Sequence, residues 1–147
     1  MAASEGEGNG NDWGLVTLDQ DIGLIVGYLD VHVPDGNDLV RFRSGGLIVD
    51  QAGYSHDTGD NLSGHYSCRI THAFPDSSVL HKCDTLPGDS GSPFLRRDGD
   101  TWDVIALDSQ FFETGSKQAT FSDANLAVDS RAFGKAVERL RAELSGE

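Results

Sequence analysis

Several things are scarce in this 147-residue chain, and each scarcity closes off a class of function. No stretch holds eighteen uninterrupted apolar residues, which excludes a helix that crosses a bilayer. Positive charge is short: 11 Lys and Arg face 24 Asp and Glu, and the formal charge of −13 repels phosphate backbones and anionic lipid. Neither nucleic acid nor a membrane is an expected partner. The opening MAASEGEGNGND is small and acidic and lacks the apolar core of a secretory signal, so residues 1–11 read as a flexible acidic N-terminus with no export address. Histidine is absent before His32.

Only two cysteines occur, Cys68 and Cys83, enclosing fourteen residues between strand-like runs, HYSCRITHAF and SVLHKC. A bridge across a hairpin fits that spacing and implies an oxidising compartment; two separate buried thiols are the alternative.

With 37% hydrophobic residues the chain is long enough for one domain around one core. Short apolar runs dominate: WGLVTL (Trp13 to Leu18), LIVGYLDVHV, LVRF, GLIVDQAGY, HYSCRITHAF, SVLHKC, SPFLRR, WDVIALDSQFF and NLAVD. Clusters of Gly, Asp, Asn, Ser and Pro separate them, a spacing that predicts an all-β sandwich or barrel. The period changes only at the end. Phe133, Ala136, Val137, Leu140 and Leu144 form the one-sided stripe of an amphipathic helix over 131–144, capped by Asp129 or Ser130.

One segment carries more chemistry than its neighbours. CDTLPGDSGSPF, Cys83 to Phe94, sets Ser90 in a glycine- and proline-rich turn directly before an apolar strand. A serine in such a turn is ordinarily a turn residue. Here the turn is tied to a strand, which can hold a hydroxyl both exposed and fixed. The N–H groups of Gly88 and Ser90 are candidates to converge on a developing oxyanion if Gly88 adopts a conformation that other residues resist.

These residues resemble the trypsin/chymotrypsin-like serine endopeptidases, and DTLPGDSGSPF is most similar to their bacterial, glutamyl-endopeptidase-like branch. NDWGLVTLDQDIG (Asn11 to Gly23) is similar to the segment carrying the triad aspartate. IVDQAGYSHD, DVIALDSQ and NLAVD with the final helix resemble later elements of the same family. The resemblance implies an all-β fold, the second antiparallel six-stranded β-barrel of a chymotrypsin-like protease with a C-terminal α-helix, over residues 12–147. It implies a serine endopeptidase acting on protein or peptide through an acyl-enzyme, with no cofactor and no metal, secreted or periplasmic. Ser90 would be the nucleophile, Gly88 and Ser90 the oxyanion hole, and Asp12 the carboxylate that orients an imidazole. Ser109 would hydrogen-bond that carboxylate and the substrate backbone. Asp84 and Thr85 would lie at the base and wall of the primary specificity pocket, and Asp108 beside it, where glutamyl-selective members carry histidine. A carboxylate there would repel a glutamate side chain and attract Lys or Arg. Solvated acids at Asp12, Asp84 and Asp108 are the plainer alternative.

The resemblance lacks its base. In this family the triad histidine precedes the aspartate, and none precedes Asp12. His32, His56, His65, His72 and His81 all follow it. The spacing of His65, His72 and His81 also lacks the paired short motifs of a structural zinc site. Three readings stay open: the C-terminal part of a full protease, the one favoured; a non-catalytic peptide- or protein-binding module; or a half complemented by a separate chain. The orphaned strand 13–18 predicts self-association. Asp89 stands where the family's carboxylate meets a newly cut N-terminal amine; without that amine, the expectation is an unpartnered acid and a loose oxyanion hole.

Overall fold

The computed structural model describes residues 10–44, 46–110 and 125–146. The expected flexible N-terminus over 1–11 lies largely outside them, as does the end of WDVIALDSQFF. The described chain is mostly β. In order it forms α1 (Gly23–Val26), β1 (Asp30–Val31), α2 (Gly36–Arg43), β2 (Leu47–Gly53), β3 (Ser63–Ala73), β4 (Ser78–His81), β5 (Pro93–Asp98), β6 (Thr101–Gln110), β7 (Asn125–Asp129) and α3 (Gly134–Ser145).

Strands β2 to β7 close into a six-stranded antiparallel barrel. The order runs β6-β5-β2-β3-β4-β7, and β7 returns to β6. β7 pairs with β6 only from Ala106 onward, and β1 takes the edge that it leaves, parallel to β6 at Asp103 and Val104. Ser130 ties these ends together: its N–H donates to Ile105 and its hydroxyl to the His32 carbonyl.

Inward alternation builds the core. β2 buries Leu47, Val49 and Gln51 and leaves Ile48 in solvent, the period of a half-buried strand. Phe42, Val49, Ile70, Val79, Phe94 and Ile105 fill the barrel with the Cys68–Cys83 disulfide. A bulge keeps that bridge in register. Tyr66 and Ser67 stand opposite Asp50 between the pairs Gln51↔His65 and Val49↔Cys68. Ser67 takes a left-handed conformation, φ 58°, and its N–H donates to the Asp50 carboxylate at 2.6 Å. The extra residue turns Cys68 inward.

Between residues 13 and 43 only a two-residue remnant of the expected strands is found. Trp13 to Leu18 forms no strand: it has no ladder partner among the described residues, and Val16 is 84% exposed. LIVGYLDVHV divides into the single turn α1 and the two-residue β1. LVRF is helical, inside α2, because Asp35 caps it. The Asp35 carboxylate accepts from the N–H groups of Asn37 and Asp38, and Asp38 answers on the Asp35 N–H. Those two N–H groups also hold Asp35 below the usual carboxylate range. α2 places Phe42 in the core.

The terminal helix is present as expected but starts later. Neither Asp129 nor Ser130 caps it; Asp129 instead holds the Arg131 guanidinium, and α3 begins at Gly134. Burial pushes the Asp129 carboxyl upward, with Arg131 opposing. Of the expected stripe Phe133 is buried and Leu144 is 71% exposed, so the helix leaves the barrel at its far end. Trp13 packs on Phe133, and Arg141 pairs with Asp30.

Candidate active site

The Ser90 turn joins β4 to β5, and its own backbone bonds fix its shape. Asp89 N–H donates to Leu86 (3.1 Å), Ser92 N–H to Asp89 (2.8 Å) and Gly91 N–H to Asp108 on β6 (2.8 Å). Gly88 has φ 106°, and a Cβ there would stand 2.7 Å from the Tyr54 carbonyl oxygen, so glycine alone fits. The loop after β2 braces this point, with His56 N–H on the Pro87 carbonyl at 2.7 Å. Among the described residues, the N–H groups of Gly88 and Ser90 donate to no backbone carbonyl, and both residues are exposed.

A second bulge brings Ser109 to this turn. β6 pairs Asp108 with Ala127 and Gln110 with Leu126, which leaves Ser109 as the extra residue between. A residue freed from the ladder can point its groups out of the sheet. The Ser109 carbonyl accepts the Ser90 hydroxyl at 3.3 Å, and the Ser109 hydroxyl donates to Asp12 Oδ2 at 2.6 Å. Ser90, Ser109 and Asp12 therefore share one exposed rim, although 97 residues separate the last two.

The remaining assigned residues divide between two places. Thr85 is buried and accepts from Asn125 Nδ2 at 3.0 Å. Asp108 is buried too, with His81 Nε2 3.0 Å from its Oδ1, close enough to pair though off the line of a good hydrogen bond. The position expected beside an open pocket is thus an interior acid facing an imidazole. Burial pushes the Asp108 carboxyl above its ordinary value, and the nearby His81 ring and Thr85 hydroxyl oppose that rise. Asp84 faces the other way, into a cleft of about 430 Å³ between the Ser90 turn and the loop end of the β2–β3 hairpin. Asp57, His65, Tyr66 and Leu86 share its lining. Adjacent residues on extended chain point to opposite sides, so one pocket does not hold both Asp84 and Thr85.

Most of the histidine contacts lie elsewhere. His32 Nε2 meets Asp38 at 2.7 Å, and His65 Nδ1 accepts the Asp84 N–H at 2.7 Å. His81 is fully buried, and its Nδ1 accepts the Cys83 N–H at 3.3 Å, which leaves Nε2 to carry the ring proton toward Asp108. None of these contacts is with Ser90 or Asp12. The His72 ring meets Phe74 edge to face.

Sequence reading misses three residues here: Gln51, His81 and Asn125. His81 carries a signal, since it lies two before Cys83 and shares its inward face by strand period. Asp89 is held by neutral donors: its Oδ2 accepts the Leu86 N–H at 3.0 Å, and Oδ1 receives the Gln51 amide. No protein-family model matches the chain, and no curated protein matches it in sequence.

Proposed function

We propose that this chain is the serine-bearing part of a trypsin/chymotrypsin-like serine endopeptidase, and that its barrel is the second barrel of that fold. The observation that carries the reading is the shared rim: an exposed Ser90 hydroxyl, two N–H groups beside it that donate to no backbone carbonyl among the described residues, and the Ser109–Asp12 hydrogen bond. Ser90 Oγ attacks a peptide carbonyl carbon while a base takes its proton, and the Gly88 and Ser90 amides receive the negative charge on the carbonyl oxygen. The C–N bond then breaks as the amine takes that proton, leaving an acyl-serine that water hydrolyses. Asp12, oriented by Ser109, holds and charges the imidazole that acts as base. That imidazole comes from a polypeptide segment placed against Asp12, whether upstream in the same protein or in a separate chain.

Protein or peptide is the substrate. Asp84 and Ser109 are the assigned contacts a ligand reaches from solvent, while Thr85 and Asp108 shape the site from within. A secreted or periplasmic setting suits a chain with a Cys68–Cys83 disulfide. Self-association through residues 13–18 is part of the proposal, carried by their exposed apolar side chains.

A fluorophosphonate probe tests the reading. Labelling that disappears in Ser90→Ala supports a working nucleophile. The engagement of His32, His65 and His81 away from Ser90 favours one alternative, a peptide-binding module on the same scaffold; no labelling even when the segment that supplies the imidazole is joined or added would establish it over the enzyme.

A further inference from the structure

The Ser90 turn contains a buried carboxylate held by neutral groups. Asp89 is 2% exposed, and its two oxygens meet the Leu86 N–H and the Gln51 amide. Among the described residues, no Lys, Arg or His forms an ion pair with it. Gln51, 3% exposed at the middle of β2, spans the turn from beneath. Its Nε2 donates to Ser92 Oγ at 2.9 Å and to Asp89 Oδ1 at 3.4 Å, so one amide group grips both sides of the Ser90–Gly91 pair.

The surroundings are shaped for that grip. Gln51 is fixed by strands on both sides, opposite His65 on β3 and Phe94 on β5. Two residues on and facing the same way, Gly53 leaves the space: a Cβ there would lie 2.3 Å from Asp89 Oδ1 and 2.9 Å from Ser92 Cβ. A buried polar side chain that satisfies two acceptors at once holds them at a set separation, and donors that are already placed need no reorganisation during reaction.

We infer that Gln51 is a positioning residue, a latch that keeps the Ser90 turn and its free amides arranged by neutral hydrogen bonds supplied within the barrel. The turn then needs no cation delivered from another segment to take its working shape. This role rests on the endopeptidase reading for its catalytic consequence, but not for its structural one.

Gln51→Met keeps length and bulk and removes the donor. Two readouts on the full chain separate the claims: the second-order rate of fluorophosphonate labelling, and the 15N–1H resonances of Gly88 and Ser90. The expected result is a labelling rate lower by roughly ten- to a hundredfold, less than the roughly hundred- to thousandfold cost of deleting an oxyanion donor outright, because the amides are displaced and not removed. The Gly88 and Ser90 peaks should shift or broaden while core peaks such as Ile70 and Val79 stay in place. A merely structural glutamine would lower the urea midpoint and leave rate and peaks of the folded protein unchanged, and that result overturns the inference. If the wild-type chain takes no label without the segment that supplies the imidazole, the resonances alone decide the latch. If Gln51→Met does not fold, Ser92→Ala removes one of the two anchor points, and unchanged Gly88 and Ser90 peaks there overturn the inference equally.

Discussion

Breaking the Cys68–Cys83 bond should lower stability by an amount set by the chain between them. The sequence separation is 15, and in the chain-entropy treatment a loop of that size restrains the unfolded chain by about 3 kcal/mol. Both cysteines are nearly fully buried in the barrel core, beside Val49, Ile70 and Phe94, so reducing the bond leaves two thiols in apolar surroundings that still suit them. The loss should therefore be mainly one of cross-linking rather than packing. Urea unfolding followed by tryptophan fluorescence, with and without a phosphine reductant, measures it. At a slope of about 2 kcal/mol per molar urea, the midpoint should fall by about 1.5 M on reduction. The slope should rise as well, because a chain without its cross-link exposes more surface when unfolded. A midpoint that moves by less than about 0.3 M would refute the loop-closure reasoning.

Three further outcomes are expected. Phe94 is fully buried with its ring 4.6 Å from the His81 ring, so Phe94→Ala should cost about 3–5 kcal/mol, read as a fall in thermal midpoint. Gly88→Ala places a side chain at φ 106° against the Tyr54 carbonyl, a main-chain atom that cannot swing away; a loss of about 1–3 kcal/mol is expected, together with slower fluorophosphonate labelling. Asp108→Asn tests the buried acid by its sign. Burial raises the folded pKa of Asp108 above 3.8, so the folded state holds that proton more tightly than the unfolded one. The stabilisation is complete below pH 3.8 and disappears as pH rises through the folded value; the Asp108→Asn substitution should flatten that fall in urea titrations run across the acidic range, and an unchanged slope would contradict the assignment.

Strands that pair with their neighbours are legible in the sequence, and segments without a partner are not. β2 alternates, β4 and β7 are short runs buried along their length, and all six runs are bounded by turn residues, so each is found again as a strand of the barrel. Trp13 to Leu18 shows the same alternation and makes no strand, because a ladder needs a second chain segment that composition cannot supply. LVRF departs from its expected strand for a local reason. Pro34, Asp35 and Asp38 spell a helix start in which Asp replaces the usual Glu of the capping box, and Leu39 and Phe42 then fall one turn apart on the buried side.

Within the candidate site, the local motif around Ser90 can be read from its glycines and proline. The Ser109–Asp12 contact is foreseeable only through resemblance, and it depends on a bulge that leaves no mark in the alternation of DVIALDSQ. Gln51 and Asp89 are 38 positions apart, and His81 and Asp108 sit on strands that flank β7. Such pairs exist only once the barrel closes.

Closure also governs how these molecules crowd together. Each of β2 to β7 has a neighbour on both sides, and the added β1 is two residues long, so little open ladder is offered to a second molecule. The greasy surface lies instead on irregular chain and the single turn α1, at Val16, Leu24, Ile25 and Val26. Clustering at high concentration should thus be sticky and reversible, dispersed by a mild detergent, and should bind no amyloid dye.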